Sequence, residues 1–193
     1  MQISDSHRKV ADVIVEKRTS FRTVVIVTLV ATVTAQGLAS ILSPMRIGKT
    51  LFGDFLGIAI SVFIVFVIHE LLHAFAFHYW GKEPLESFRF GYSWQEKMLY
   101  CQCLVPVEVR VFRIALLLPL VVIGALTLLG VFIYPSSWTA TVMGIAIGGC
   151  ATDVYIFLKM RQFDEHFIVV GHPSVKLGYQ IFAPPKGCLT DDA

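Results

Sequence analysis

Residues 55–80 read FLGIAISVFIVFVIHELLHAFAFHYW, an apolar run interrupted near its end by one glutamate and three histidines. As a helix it is long enough to cross a hydrocarbon core of about 30 Å, which takes roughly 20 residues. Inside it lies His69-Glu70-Leu71-Leu72-His73. Residues four apart share one face of a helix, so His69 and His73 can both aim an imidazole nitrogen at one zinc ion. Glu70, one position on, can take a proton from a zinc-bound water whose pKa the metal lowers to about 7. An ionised residue in such a run costs roughly 2.5–3.5 kcal/mol to insert, so ionisable groups there mark a functional site.

Outward from this stretch, the composition fits a chain solvated by lipid. Of 193 residues 55% are hydrophobic and 16% charged, and the mean hydropathy is +0.69, well above that of a soluble domain. The net charge of +2, with no basic stripe interleaved with aromatics, excludes a nucleic-acid partner. Four stretches qualify as transmembrane helices, at about 23–43, 55–80, 114–134 and 138–158. The apolar run of the first exceeds a signal-peptide core and reads as a retained anchor. Basic residues gather in the leader (Arg8, Lys9, Lys17, Arg18, Arg22), between spans two and three (Lys82, Arg89, Lys97, Arg110, Arg113) and after span four (Lys159, Arg161). The positive-inside tendency therefore places both termini on the cytoplasmic side of the cell membrane, with Arg46 and Lys49 dissenting. The expected fold is one α-helical integral membrane domain over 1–193, with a cytoplasmic hairpin insertion at 82–111 and a β-containing tail at 159–193.

Ser87 to Gly91 and Met98 to Val105 are rich in aromatic and β-branched residues, with Gly91 and Ser93 between them as turn formers, so a β-hairpin is expected. The tail offers a second pair, His166 to Val170 and Tyr179 to Phe182, around Gly171-His172-Pro173-Ser174 and closed by Pro184-Pro185. An open edge on the hairpin strand would let a substrate bind as an added strand, which makes Tyr100, Cys101 and Cys103 candidate substrate-binding residues. An amphipathic hairpin lying on the membrane is the alternative. The four cysteines (Cys101, Cys103, Cys150, Cys188) show no disulfide pattern, and Cys101 and Cys103 also read as small apolar filler.

A catalytic zinc takes three protein ligands and keeps one position open. The metzincin extension is excluded, because Ala76 and Tyr79 stand where it needs glycine and histidine. Glu83, Glu86 and Glu96 in the loop remain as gluzincin-type ligands, and Asp153 is the acid inside span four. Counted from the outer end, His69 lies about 14 and Asp153 about 15 residues deep, which at 1.5 Å per residue puts both about 21–23 Å in. Depth therefore favours Asp153, with Gly144, Gly148, Gly149 and Ala151 before it allowing close helix approach. Pairing of Asp153 with Lys159 or Arg161 is the structural alternative. His78 faces away from the metal and suits the membrane boundary, while His166 and His172 fit a solvated tail.

The run His69 to Ala74, the Tyr100-Cys101 stretch, Pro106, the span with Pro119, and Gly149 to Asp153 resemble the bacterial membrane-bound putative zincin peptidases, over roughly residues 55–185. That family is similar in plan to site-2 proteases. The resemblance implies a zinc-dependent membrane peptidase with His69, His73 and Asp153 as ligands and Glu70 as base. Where site-2 proteases usually carry Asn-Pro-Asp-Gly, this chain has Cys150-Ala151-Thr152-Asp153-Val154 and no asparagine anywhere. Thr152 or a main-chain amide would then handle the substrate. The expected reaction is hydrolysis of a peptide bond in a membrane-protein or peptide substrate near the cytoplasmic face, among membrane lipids. A zinc-dependent lipid ester or amide hydrolase and a non-catalytic zinc-binding membrane protein are the alternatives.

Overall fold

The computed structural model describes residues 8–42, 51–93, 98–172 and 178–184, with backbone alone for 51–54, 92–93 and 98–102. Arg46, Lys49, Glu96, Lys97, Cys188, the 173–174 turn and Pro185 lie outside the described residues, as do the side chains of Tyr100 and Cys101. In chain order the elements are β1 (Arg8–Ile14), α1 (Lys17–Leu42), α2 (Leu51–Tyr79), β2 (Phe88–Ser93), β3 (Met98–Cys103), β4 (Val107–Glu108), α3 (Val109–Ile133), α4 (Ser137–Gly149), α5 (Ala151–Met160), β5 (Ile168–Gly171) and β6 (Gly178–Ala183).

The chain is mostly helical, and four helical stretches are long and apolar enough to cross a membrane: Lys17–Leu42, Phe55–Tyr79, Val109–Ile133 and Ser137–Met160. Apolarity runs all round α2, and side chains such as Phe55, Phe63, Ile64 and Leu71 stay exposed. Burial inside the protein does not account for that composition. α2 lies against both α3 and α4, and α1 packs chiefly along α4. A Cβ added at Gly144 would overlap Thr32 of α1, and one at Gly148 would overlap Thr28; at Gly149 it would come within 3.0 Å of the Phe66 ring of α2. Glycine at these three places is what lets the backbones meet.

Two small sheets complete the fold. The expected hairpin is present as β2–β3, with Phe88 opposite Cys103 and Ser93 opposite Met98. Gly91 and Ser93 sit inside β2, not in its turn. The tail strands β5 and β6 pair as a second hairpin, and β4 and β1 extend it to an antiparallel sheet ordered β1-β6-β5-β4. β1 is not expected from the sequence, in which the leader reads as polar and basic. Its partner, β6, lies at the opposite end of the chain, so no local pattern could reveal the pairing. Because this sheet draws on the leader, the segment before α3 and the tail, all three lie at one end of the helices. The main core sits at that junction and joins Val13, Phe77, Val109, Phe112, Met160, Val169 and Ile181.

Three helix starts and the continuity of the fourth stretch differ from expectation: α1 begins at Lys17 instead of Thr23 and α2 at Leu51 instead of Phe55. α3 starts at Val109 instead of Ile114, and within the added turn Arg113 donates to the carbonyls of Met160 (2.7 Å) and Phe163 (2.5 Å), at and just past the end of α5. The fourth span is broken at Cys150, whose N–H reaches the Ile147 carbonyl three residues back at 3.2 Å. Two consecutive glycines, Gly148 and Gly149, weaken the helix at that point.

Candidate metal centre

Helix α2 delivers His69 and His73 from successive turns, and both are buried, at 6% and 9% exposure. Their rings meet edge to face with centroids 4.7 Å apart, and their Nε2 atoms are 3.0 Å apart. The break at Cys150 restarts the fourth span as α5 and places Asp153 in its first turn, where the positive end of the helix dipole favours a carboxylate. Asp153 Oδ2 lies 3.0 Å from His69 Nε2 and 3.7 Å from His73 Nε2. His69, His73 and Asp153 form a group that could hold a metal ion.

The donor set fits zinc in its edges and in its protons. A tetrahedral ion with ligand distances of about 2.0–2.2 Å needs ligand atoms roughly 3.3–3.5 Å apart. The triangle here has edges of 3.0, 3.0 and 3.7 Å, so a shift of a few tenths of an ångström accommodates the ion. His73 Nδ1 lies 2.9 Å from the carbonyl of Ala115 in α3. A carbonyl only accepts, so Nδ1 carries a proton, and in the neutral ring Nε2 keeps the lone pair that points inward. On His69, Nδ1 faces Cys150 Sγ at 3.6 Å, and that sulfur lies 3.4 Å from the Ala146 carbonyl. With Nδ1–H donating to sulfur, Nε2 again presents a lone pair. With both rings neutral, two nitrogen lone pairs and a carboxylate converge on one point, a donor set that suits a cation at its centre.

Glu70 is partly buried next to His69 on the same helix. Thr152, the other candidate beside Asp153, has its hydroxyl 2.8 Å from that of Ser20 in α1, so it ties two helices together. Lys159 lies over the Tyr155 ring, 5.7 Å from its centroid, and among the described residues Asp153 pairs with the two histidines. Of the loop glutamates, Glu86 is exposed and the Glu83 carbonyl lies 2.7 Å from His78 Nδ1. His78 therefore secures the turn after α2. His166 is exposed, 3.8 Å from Glu165. Cys103 lies half-buried at the base of the hairpin with Sγ 3.7 Å from the Val105 carbonyl, and burial pushes its thiol pKa up. A thiol held neutral in this way suits filler better than a second metal site.

Sequence reasoning missed Tyr179. Carried by β6, its ring packs on Phe112 of α3 at 4.8 Å. Enclosure pushes its phenol pKa up, and the negative charges of Asp153 and Glu70 push the same way. The tail strand thus brings a phenol within the field of the acidic groups. The only sequence signal was an aromatic in an expected strand.

A mostly helical fold in which two helices bring together three side chains that could hold a metal ion has the plan of a zincin-type protein. Residues 62–168 match the family described as "Putative zincin peptidase", and the chain belongs to that family. The match covers more than half of the chain, from within α2 to the start of β5. Family membership points to a metallopeptidase using zinc. No curated protein matches the chain, and no solved structure does.

Proposed function

We propose that this protein is a membrane-embedded zinc endopeptidase that cuts a peptide bond close to the cytoplasmic face, with His69, His73 and Asp153 as ligands and Glu70 as general base. The observation that carries the reading is the meeting of two histidine Nε2 atoms and one carboxylate oxygen from helices apolar enough to span a bilayer. Zinc held there supplies Lewis acidity toward the scissile carbonyl and lowers the pKa of a water to about 7. Glu70 takes the proton from the attacking water and returns it to the leaving amine. Asp153 contributes negative charge that the two imidazoles lack, which strengthens cation binding in a low-dielectric setting.

The sheet end of the bundle is the cytoplasmic end, supported by the basic residues of the leader, the 81–113 segment and the tail. β3 pairs with β2 on one side, packs near α2 and is the last strand of its sheet among the described residues. A substrate strand added at that edge would regain hydrogen bonds lost when a transmembrane helix unwinds.

The test uses purified protein in detergent, with fluorescently labelled casein as a generic unfolded substrate. Glu70→Gln is expected to retain stoichiometric zinc while cleavage falls at least about 100-fold, the range lost when a positioned acid–base group is removed. Wild-type activity in Glu70→Gln would end the proposal, as would zinc retention by the double variant His69→Ala, His73→Ala.

A further inference from the structure

In a regular helix the carbonyl of residue 115 accepts the N–H of residue 119. Residue 119 is proline, buried inside α3, and has no N–H to give. The Ala115 carbonyl instead lies 2.9 Å from His73 Nδ1, 42 positions away in sequence on α2. We infer that Pro119 is a positioning residue for the metal centre: by withholding a backbone donor, it reserves the Ala115 carbonyl for the His73 ring and fixes the tautomer that turns Nε2 inward.

This rests on the reading of His69, His73 and Asp153 as a metal site. A buried carbonyl seeks a donor, so the missing N–H makes a strong acceptor available at the depth where His73 needs one. Proline within a helix is also costly, about 3 kcal/mol against alanine, and it persists where neighbouring groups satisfy what it frees. Here the freed group and its new partner are both on view. Ala115 is fully buried and His73 nearly so, which leaves little access for water to compete. Among the described residues, the outer nitrogen of His69 meets a weaker acceptor, Cys150 Sγ at 3.6 Å. The carbonyl behind His73 is therefore the stronger of the two supports.

The test separates this role from helix packing. Metal-free and zinc-loaded proteins are compared in detergent for wild type, Pro119→Ala, and a semisynthetic chain with the α-hydroxy analogue of alanine at 119, an ester unit that lacks both the ring and the N–H. Zinc affinity is read by chelator competition and stability by thermal unfolding. Pro119→Ala is expected to unfold at the same or a higher temperature without metal, yet to bind zinc about 10-fold more weakly, within the range for lost outer-sphere support. The ester chain should recover most of that affinity, because it too leaves the carbonyl without a competing donor. Wild-type zinc affinity in Pro119→Ala overturns the inference, as does an ester chain no better than alanine. A lower melting temperature for metal-free Pro119→Ala would also count against it, since proline would then be serving the helix. If wild type itself fails to bind zinc, the underlying reading of the centre falls, an outcome distinct from a wild type that binds while Pro119→Ala binds equally.

Discussion

His69 and His73 occupy equivalent places in the motif but have different supports. A backbone carbonyl holds His73 at 2.9 Å, and a thiol stands 3.6 Å from His69, so the ring of His69 is the more easily displaced. The phenol of Tyr179, partly buried against the core, faces the field of Asp153 and Glu70. Its folded pKa lies above the unfolded value of 10.0. The stability it contributes is therefore fully present below pH 10 and is lost as pH rises above that value. Measured by thermal unfolding in detergent from pH 9 to 11, Tyr179→Phe should lose less stability than wild type, while the other titrating groups cancel in the comparison. Parallel pH profiles for the two proteins would show that Tyr179 is not enclosed as described.

Among the elements, the α1–α4 contact is the most tightly constrained. A Cβ at Gly144 would lie 2.6 Å from Thr32 Cα, a backbone atom that no rotamer change can move. Alanine is favoured over glycine in a helix by about 1 kcal/mol, yet overpacking costs about 1–3 kcal/mol, and here the backbone itself must shift. Gly144→Ala should therefore lower the melting temperature in detergent despite its better propensity. An unchanged or raised melting temperature would mean that α1 sits farther from α4. The break between α4 and α5 belongs to this scale too: it places Asp153 in a first helical turn and Cys150 behind His69. A continuous helix through residue 150 would rotate and displace both.

For the whole molecule, the consequence of the β1-β6-β5-β4 sheet is that the leader, the α2–α3 connection and the tail share one end. If the helices span a membrane as proposed, single cysteines at Arg8, Glu86 and Glu165 should all react with an impermeant maleimide from one side of sealed vesicles. One at Ser136, between α3 and α4, is buried, so Tyr134 is the better reporter for the other side. Mixed sidedness among the first three would contradict the sheet. Much of this was legible in the chain: apolar length marked four helices able to cross a membrane, i,i+4 spacing put two histidines on one face, and equal depth drew Asp153 level with them. These are local or additive properties, since span length and helical periodicity depend on neighbouring residues and depth is a count. The pairing of β1 with β6, the use of Ala115 and Cys150 behind the two rings, and the approach of Tyr179 were decided by tertiary structure. Each joins groups far apart in sequence, and backbone carbonyls and strand edges are the same chemistry in every residue, so only the packed chain determines which of them meet.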